Sequence, residues 1–135
     1  MSSSSTPSDQ PVRCRGVRGA TTAAANTREA ILTATHELLT ALIDANHIDP
    51  DDVGSIFMTT TTDLNAEYPA VAARQLGWVD VAILCGNEMD VPHGLKKCIR
   101  ILIMWNTTRT AHQIQHVYIG EAQSLRPDRA VQTAS

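Results

Sequence analysis

Two short apolar runs, separated by a stretch that can continue neither, constrain this chain most. Val79 to Cys85 (V-D-V-A-I-L-C) and Ile99 to Trp105 (I-R-I-L-I-M-W) are rich in β-branched residues and read as buried strands. Between them, Gly86 to Gly94 holds Asn87, Asp90, Pro92 and a glycine at each end, a turn-forming composition. Cys85 and Glu88 are therefore expected at a strand end and its loop, and Arg100 inside an otherwise apolar strand. A guanidinium buried there cannot shed its proton, so it requires an anion or several acceptors beside it. That requirement is the first clue to chemistry.

The rest of the chain supplies elements to pack on these runs. Val12 to Thr22 alternates small or apolar residues with arginines, which suits a strand with one ligand-facing or solvated side. Asn26 and Glu29 have the spacing of a capping box, and Ile31, Ala34, Leu38 and Leu42 recur at helical intervals. A helix is expected from about Thr27 to Asn46, with Asp49-Pro50-Asp51 ending the segment. Ser55 to Thr61 reads as a strand, Pro69 opens a short helix over 70–75 that Gly77 closes, and His116 to Ile119 reads as the last strand. The order β-α-β-α-β-β-β gives an α+β domain, a mixed sheet with a long and a short helix on one face. The domain is expected over 12–128, with a mobile Ser- and Pro-rich tail at 1–11 and a C-terminal tail at 129–135. Two helices cover one face only, so the other is expected to expose Ile, Leu, Met and Trp unless the chain associates with copies of itself.

Composition excludes several classes of function. With 43% hydrophobic and 19% charged residues, the 135-residue chain can bury a core of its own. Its net charge of -3 argues against a nucleic-acid partner. Cys14, Cys85 and Cys98 form an odd set without a C-x-x-C pair, which points to free thiols in a reducing, cytoplasmic setting. The N-terminal M-S-S-S-S-T-P-S-D-Q-P lacks the features of a secretory signal, and no apolar run approaches the roughly 18 residues that span a membrane.

Several residues carry more than one reading. Arg18, Arg74, Arg100 and Arg126 fall within strands or beside turns; each could be a surface arginine, or several could converge on a small polyanion, which Arg grips bidentately. Glu88 could act as acid, base or hydroxyl acceptor, or sit solvated in its loop. Cys85 could be a nucleophile or an inert thiol, and no His or Asn accompanies it in a known thiol-enzyme signature. His112 and His116 have metal-ligand spacing only on a helix; in a strand, positions four apart lie about 13 Å from one another. No third ligand is evident, so no metal is expected. Tyr68 and Tyr118 could be core aromatics or pocket walls.

Longer strings narrow these alternatives. Arg15-Gly16-Val17-Arg18-Gly19-Ala20-Thr21-Thr22, Asp63-Leu64 with Tyr68-Pro69-Ala70 and Arg74, Cys85 with Glu88-Met89-Asp90-Val91, Gly94-Leu95-Lys96-Lys97-Cys98-Ile99-Arg100, His116-Val117-Tyr118 and Leu125-Arg126-Pro127-Asp128 together resemble the monofunctional AroH class of chorismate mutases. The resemblance implies a homotrimer that closes into a pseudo α/β barrel, with active sites at subunit interfaces. It implies conversion of chorismate to prephenate, in aromatic amino acid biosynthesis, by a Claisen-type rearrangement without cofactor or metal. By the same resemblance Arg18, helped by Tyr118, binds a substrate carboxylate, and Arg100 faces the ether oxygen. Glu88 and Cys85 bond the ring hydroxyl, Tyr68 and Arg74 come from a neighbouring subunit, and Leu125 and Arg126 close over the pocket. Val71 stands where the family often has a lysine and Leu84 where a threonine commonly precedes the cysteine, departures that bear on affinity more than on the reaction. The competing expectation is a non-catalytic trimer that binds a small carboxylate metabolite with the same arginines.

Overall fold

The computed structural model describes residues 10–125. Five strands form one sheet in the order β3-β2-β4-β1-β5: β1 (Arg13–Thr22), β2 (Val53–Thr60), β3 (Ile83–Asn87), β4 (Cys98–Thr107) and β5 (Val117–Tyr118). β4 runs antiparallel to both β1 and β2, whereas β2/β3 and β1/β5 are parallel, so the sheet is mixed. The β-branched β4 takes the centre because alternate residues can be buried: Ile99, Ile101, Ile103 and Trp105 point to one face. Helix α1 (Arg28–Asn46) covers that face with Ile31, Leu38, Leu39 and Leu42, all fully buried, and the short α2 (Ala70–Gln75) adds Ala70 and Ala73 to the same core.

Local chemistry sets the ends of these elements. Thr27, in extended backbone, caps α1 by accepting a hydrogen bond from the Ala30 N–H at 3.1 Å. The cap expected at Asn26 is displaced by one residue, because the Asn26 side chain is occupied elsewhere: its Oδ1 accepts from the N–H groups of Asn65 and Ala66 at 2.9 and 3.0 Å. His47, with φ 57°, ends the helix in the left-handed region, ahead of the Pro50–Asp52 turn. Gly77, with φ 93°, lets the chain leave α2.

Three expectations need correction. The strand expected at Val79 to Cys85 lies at Ile83–Asn87, so Cys85 sits in mid-strand; Val79 is exposed and β3 begins only where it can pair, Ile83 with Ile56 of β2. Gly86 and Asn87 stay extended because β2 offers Thr59 and Thr60 as partners, and Glu88 N–H extends the ladder by donating to Thr60 O at 2.9 Å. The uncovered face carries no isoleucine of β4 and not Trp105; it carries Leu84, Phe57, Leu102 and Met104, with Leu84 64% and Phe57 41% exposed. Finally, Arg100 is not buried: it stands on this open face with 45% of its side chain exposed. An apolar string says that a strand is central, not which alternate residues face the helices. No helix among the described residues is long and apolar enough to cross a membrane.

Candidate active site

Register brings the candidate residues into line. Thr59 of β2 is opposite Arg100 of β4, Arg100 is opposite Ala20 of β1, and Ala20 is opposite Tyr118 of β5. The four form a row across the open face, with Arg100 between two small neighbours that leave its guanidinium room. One pleat along, Phe57, Leu102 and Arg18 form a second row. Apart from Ala20, which is fully buried, the residues of the two rows line a cavity of about 420 Å³ whose wall also includes Glu88 and Leu125. Leu125 reaches it from the last 3₁₀ turn, Gly120–Leu125, which packs through Ala122 against Ala20 and Tyr118.

Glu88 and Arg100 are the charged centre of this cavity. Glu88 Oε1 lies 3.4 Å from Arg100 Nε, and Glu88 Oε2 accepts a hydrogen bond from the Thr59 hydroxyl. Thr59 and Arg100 therefore hold one carboxylate oxygen each, which fixes the plane of the carboxylate. A guanidinium carries five N–H donors, so beyond Glu88 and the neighbouring Cys98 thiol Arg100 still has donors for a ligand. A second cavity of about 500 Å³ adjoins the first and shares Glu88, Arg100 and Leu125 with it; the loop from Met89 to Lys96 walls the far side. That loop is anchored at its end by Asp63, whose carboxylate accepts the Lys97 N–H at 2.9 and 3.1 Å and the Thr61 hydroxyl. The Thr61 hydroxyl above all, and then the Lys97 N–H, hold the Asp63 carboxyl below the usual carboxylate range against the opposing effect of burial. Lys97 adopts φ 51° there, at the entry to β4. Beside it, burial pushes the Cys98 thiol up, so Cys98 is a packing residue and not a ready nucleophile.

Cys85, Tyr68 and Arg74 lie elsewhere. Cys85 pairs with the buried Met58 and faces the helix layer, on the opposite side of the sheet from Arg100. It lines a separate cavity of about 440 Å³ with Tyr68, Glu67 and Asn87. Within this one chain Cys85 and Glu88 do not converge, because positions 85 and 88, an odd number apart, fall to opposite faces of the sheet. Tyr68 is 69% exposed, yet its loop is held firmly. Arg28 Nε donates to Glu67 Oε2 at 2.9 Å, Tyr68 N–H donates to Glu67 Oε1 at 2.8 Å, and Asn26 holds Asn65 and Ala66. Those two bonds, the Tyr68 N–H first, lower the Glu67 carboxyl, and the positive charge of Arg74 on α2 adds to them. Arg126 lies outside the described residues, so its expected role has no geometry here.

Two further residues belong to this architecture that sequence reasoning passed over. Thr59, in a run of four threonines, has no sequence signal that separates it from its neighbours; only register and the Glu88 contact single it out. His116 drew notice for its spacing to His112, but its Nδ1 accepts the Arg18 backbone N–H at 3.0 Å. Among the described residues no group of His, Cys, Asp and Glu could hold a metal ion.

Comparison with known proteins places the chain in a family. The family model for chorismate mutase type I matches residues 14–129. Chorismate mutase AroH of Bacillus subtilis (strain 168) is 47% identical over 115 residues, 84% of this chain and 91% of that protein. Its counterpart from Thermus thermophilus is 44% identical over 115 residues, 84% of this chain and 94% of that protein. The solved structure of a chorismate mutase from Clostridium thermocellum superposes with a TM-score of 0.80 at 43% identity, covering 82% of this chain and 98% of that one. Matched over most of its length in sequence and in fold, the chain belongs to the chorismate mutase type I family.

Proposed function

We propose that the protein converts chorismate to prephenate in the biosynthesis of phenylalanine and tyrosine. The reaction is an isomerisation in which the ether C–O bond breaks while a C–C bond forms, so no proton shuttle or covalent intermediate is needed. Two things are needed instead. The dianionic substrate must be held in the compact conformer that brings its ends together, which carboxylate clamps provide. Positive charge must also meet the ether oxygen as it becomes more negative, and a fixed guanidinium supplies it.

The row of Thr59, Arg100, Ala20 and Tyr118 is the observation that carries this reading, because it fixes one cation against Glu88 at the centre of a cavity edged by a second cation, Arg18. In the proposed site Arg18 and Tyr118 hold a carboxylate, Arg100 faces the ether oxygen and Glu88 accepts the ring hydroxyl. Leu125 and Arg126 close over the substrate. Tyr68, Arg74 and Cys85 form the complementary half, contributed by the next copy of the chain in a homotrimer. The half-exposed Leu84 and Phe57 on the open face support such an assembly, since a neighbour that covers them also excludes water from Arg100. In the trimer three such faces meet around an axis, as in a pseudo α/β barrel. Three free cysteines are consistent with residence in the cytoplasm.

The test mixes purified protein with chorismate and follows the loss of its absorbance, with the mass of the assembly measured in the same buffer. Turnover by a species of three chains is the expected result. A folded trimer that binds chorismate without consuming it would replace the enzyme with a carboxylate-binding protein.

A further inference from the structure

We infer that His116 is a positioning residue for Arg18, acting as a neutral imidazole whose Nδ1 stands in for a main-chain carbonyl of β5. The pairing of β1 with β5 covers only Gly19 with Val117 and Ala20 with Tyr118. Backbone groups along a strand point alternately to its two neighbours, and Ala20 O is turned toward β5, where it accepts the Ile119 N–H at 2.9 Å. Arg18, two residues earlier, points its N–H the same way, past the start of the pairing. The acceptor that it finds is His116 Nδ1, at 3.0 Å.

The consequences run in both directions from this bond. Arg18 is held at the backbone while its side chain enters the open-face cavity, so the imidazole helps to fix where the guanidinium is aimed. His116 is buried, and the segment before it is fixed from the helix: the Asn46 side chain accepts the Gln115 N–H at 2.8 Å and donates to Gln115 O at 2.9 Å. A strand of two residues has too few ladder bonds to specify its own register. Side chains from α1 and from position 116 supply the missing specification, and so place Tyr118 opposite Ala20 as well. An imidazolium, or a ring protonated on Nδ1, has no lone pair to offer there, so the proton of the neutral ring belongs on Nε2.

The proposal rests on the reading of Arg18 as a carboxylate ligand, and the experiment separates the two. Ring nitrogen shifts of His116 in the whole wild-type protein should show a bare Nδ1 and a protonated Nε2. In steady-state kinetics on chorismate, His116→Leu should raise KM about tenfold with kcat changed less than about threefold, the size of one lost hydrogen bond expressed in binding. His116→Asn, whose Oδ1 can occupy the place of Nδ1, should bring KM back to within about threefold of wild type. A protonated Nδ1 at neutral pH overturns the positioning role even if neither variant is stable, and so does equal impairment by Asn and Leu in folded variants. An Arg18→Ala variant with unchanged KM overturns the carboxylate reading and the proposal with it, whereas a raised KM in Arg18→Ala beside an unchanged one in His116→Leu overturns the proposal alone.

Discussion

Arg100 shows how much depends on a single side chain's partners. Its guanidinium is tied to Glu88 through Nε and also meets the Cys98 thiol, which still leaves donors for a ligand. Lysine at this position can keep the charge but not the planar fork, whose fixed directions hold Glu88 on one edge while aiming other donors at the ether oxygen. Arg100→Lys should therefore lower kcat by about 10²–10³ while KM and the melting temperature move little, since the lost interaction is one made at the transition state. Retained turnover would remove Arg100 from the reaction. Asp63 has a different task, holding the entry to β4 three residues before Arg100. Its carboxyl is below the ordinary value of 3.8 in the folded protein, so the unfolded chain takes up the proton first. The stabilisation is then complete above that ordinary value and fades as the pH falls through the lower folded one. Thermal melts of wild type and Asp63→Asn should differ most near pH 6 and draw together as the pH falls below 3.8; a constant gap would show that the charge contributes nothing.

Elements add constraints that no residue shows alone. β1 lies so near α1 and β5 that a Cβ built on Gly19 would fall 2.9 Å from Leu42 Cδ1, 3.0 Å from Leu38 Cδ1 and 3.0 Å from Val117 O. The two leucine ends can rotate, but the carbonyl belongs to β5 and cannot move without carrying Tyr118 away from Ala20. Gly19→Ala should cost about 1–3 kcal/mol in urea unfolding and raise KM as well, because overpacking here shifts the cavity wall. A stable variant with normal KM would show that β5 has slack. The same scale explains what could be read from the sequence. The glycine-bearing Arg15 to Thr22 string, the stripe of Ile31, Leu38 and Leu42, and the order of elements were legible because periodicity and turn chemistry are local. The start of β3 was not, since Val79 and Val81 resemble strand residues as well as Ile83 does, and only pairing with Ile56 decides among them. The exposure of Arg100 and the inward aim of Cys85 were hidden for a related reason: strand composition does not reveal which parity faces the helices. Thr59 and His116 act through contacts with residues 29 and 98 positions away in sequence, which no spacing rule reaches.

For the whole molecule, the decisive fact is that the proposed site residues divide between two cavities on opposite faces of one sheet. Arg18, Glu88, Arg100, Tyr118 and Leu125 surround one cavity, while Cys85 and Tyr68 line the other, with Arg74 near it. No rotamer change carries Cys85 through a hydrogen-bonded sheet to Glu88, so a single site containing all of them requires two chains. That requirement can be tested without a structure of the assembly. In the proposed homotrimer Arg100→Ala damages one half of every site and Arg74→Ala the other, so either variant alone should be nearly inactive. In mixed trimers formed by co-refolding, some interfaces join the intact half of one variant to the intact half of the other. A statistical mixture at equal amounts should place both lesions in about a quarter of the interfaces and neither lesion in another quarter, so activity should recover to about one quarter of wild type, in line with the non-additivity expected of residues that act as one unit. Recovery absent from mixtures shown by mass to contain both chains would mean that Arg74 and Arg100 do not serve one shared site, and the proposed arrangement of the open faces around a common axis would fall with it.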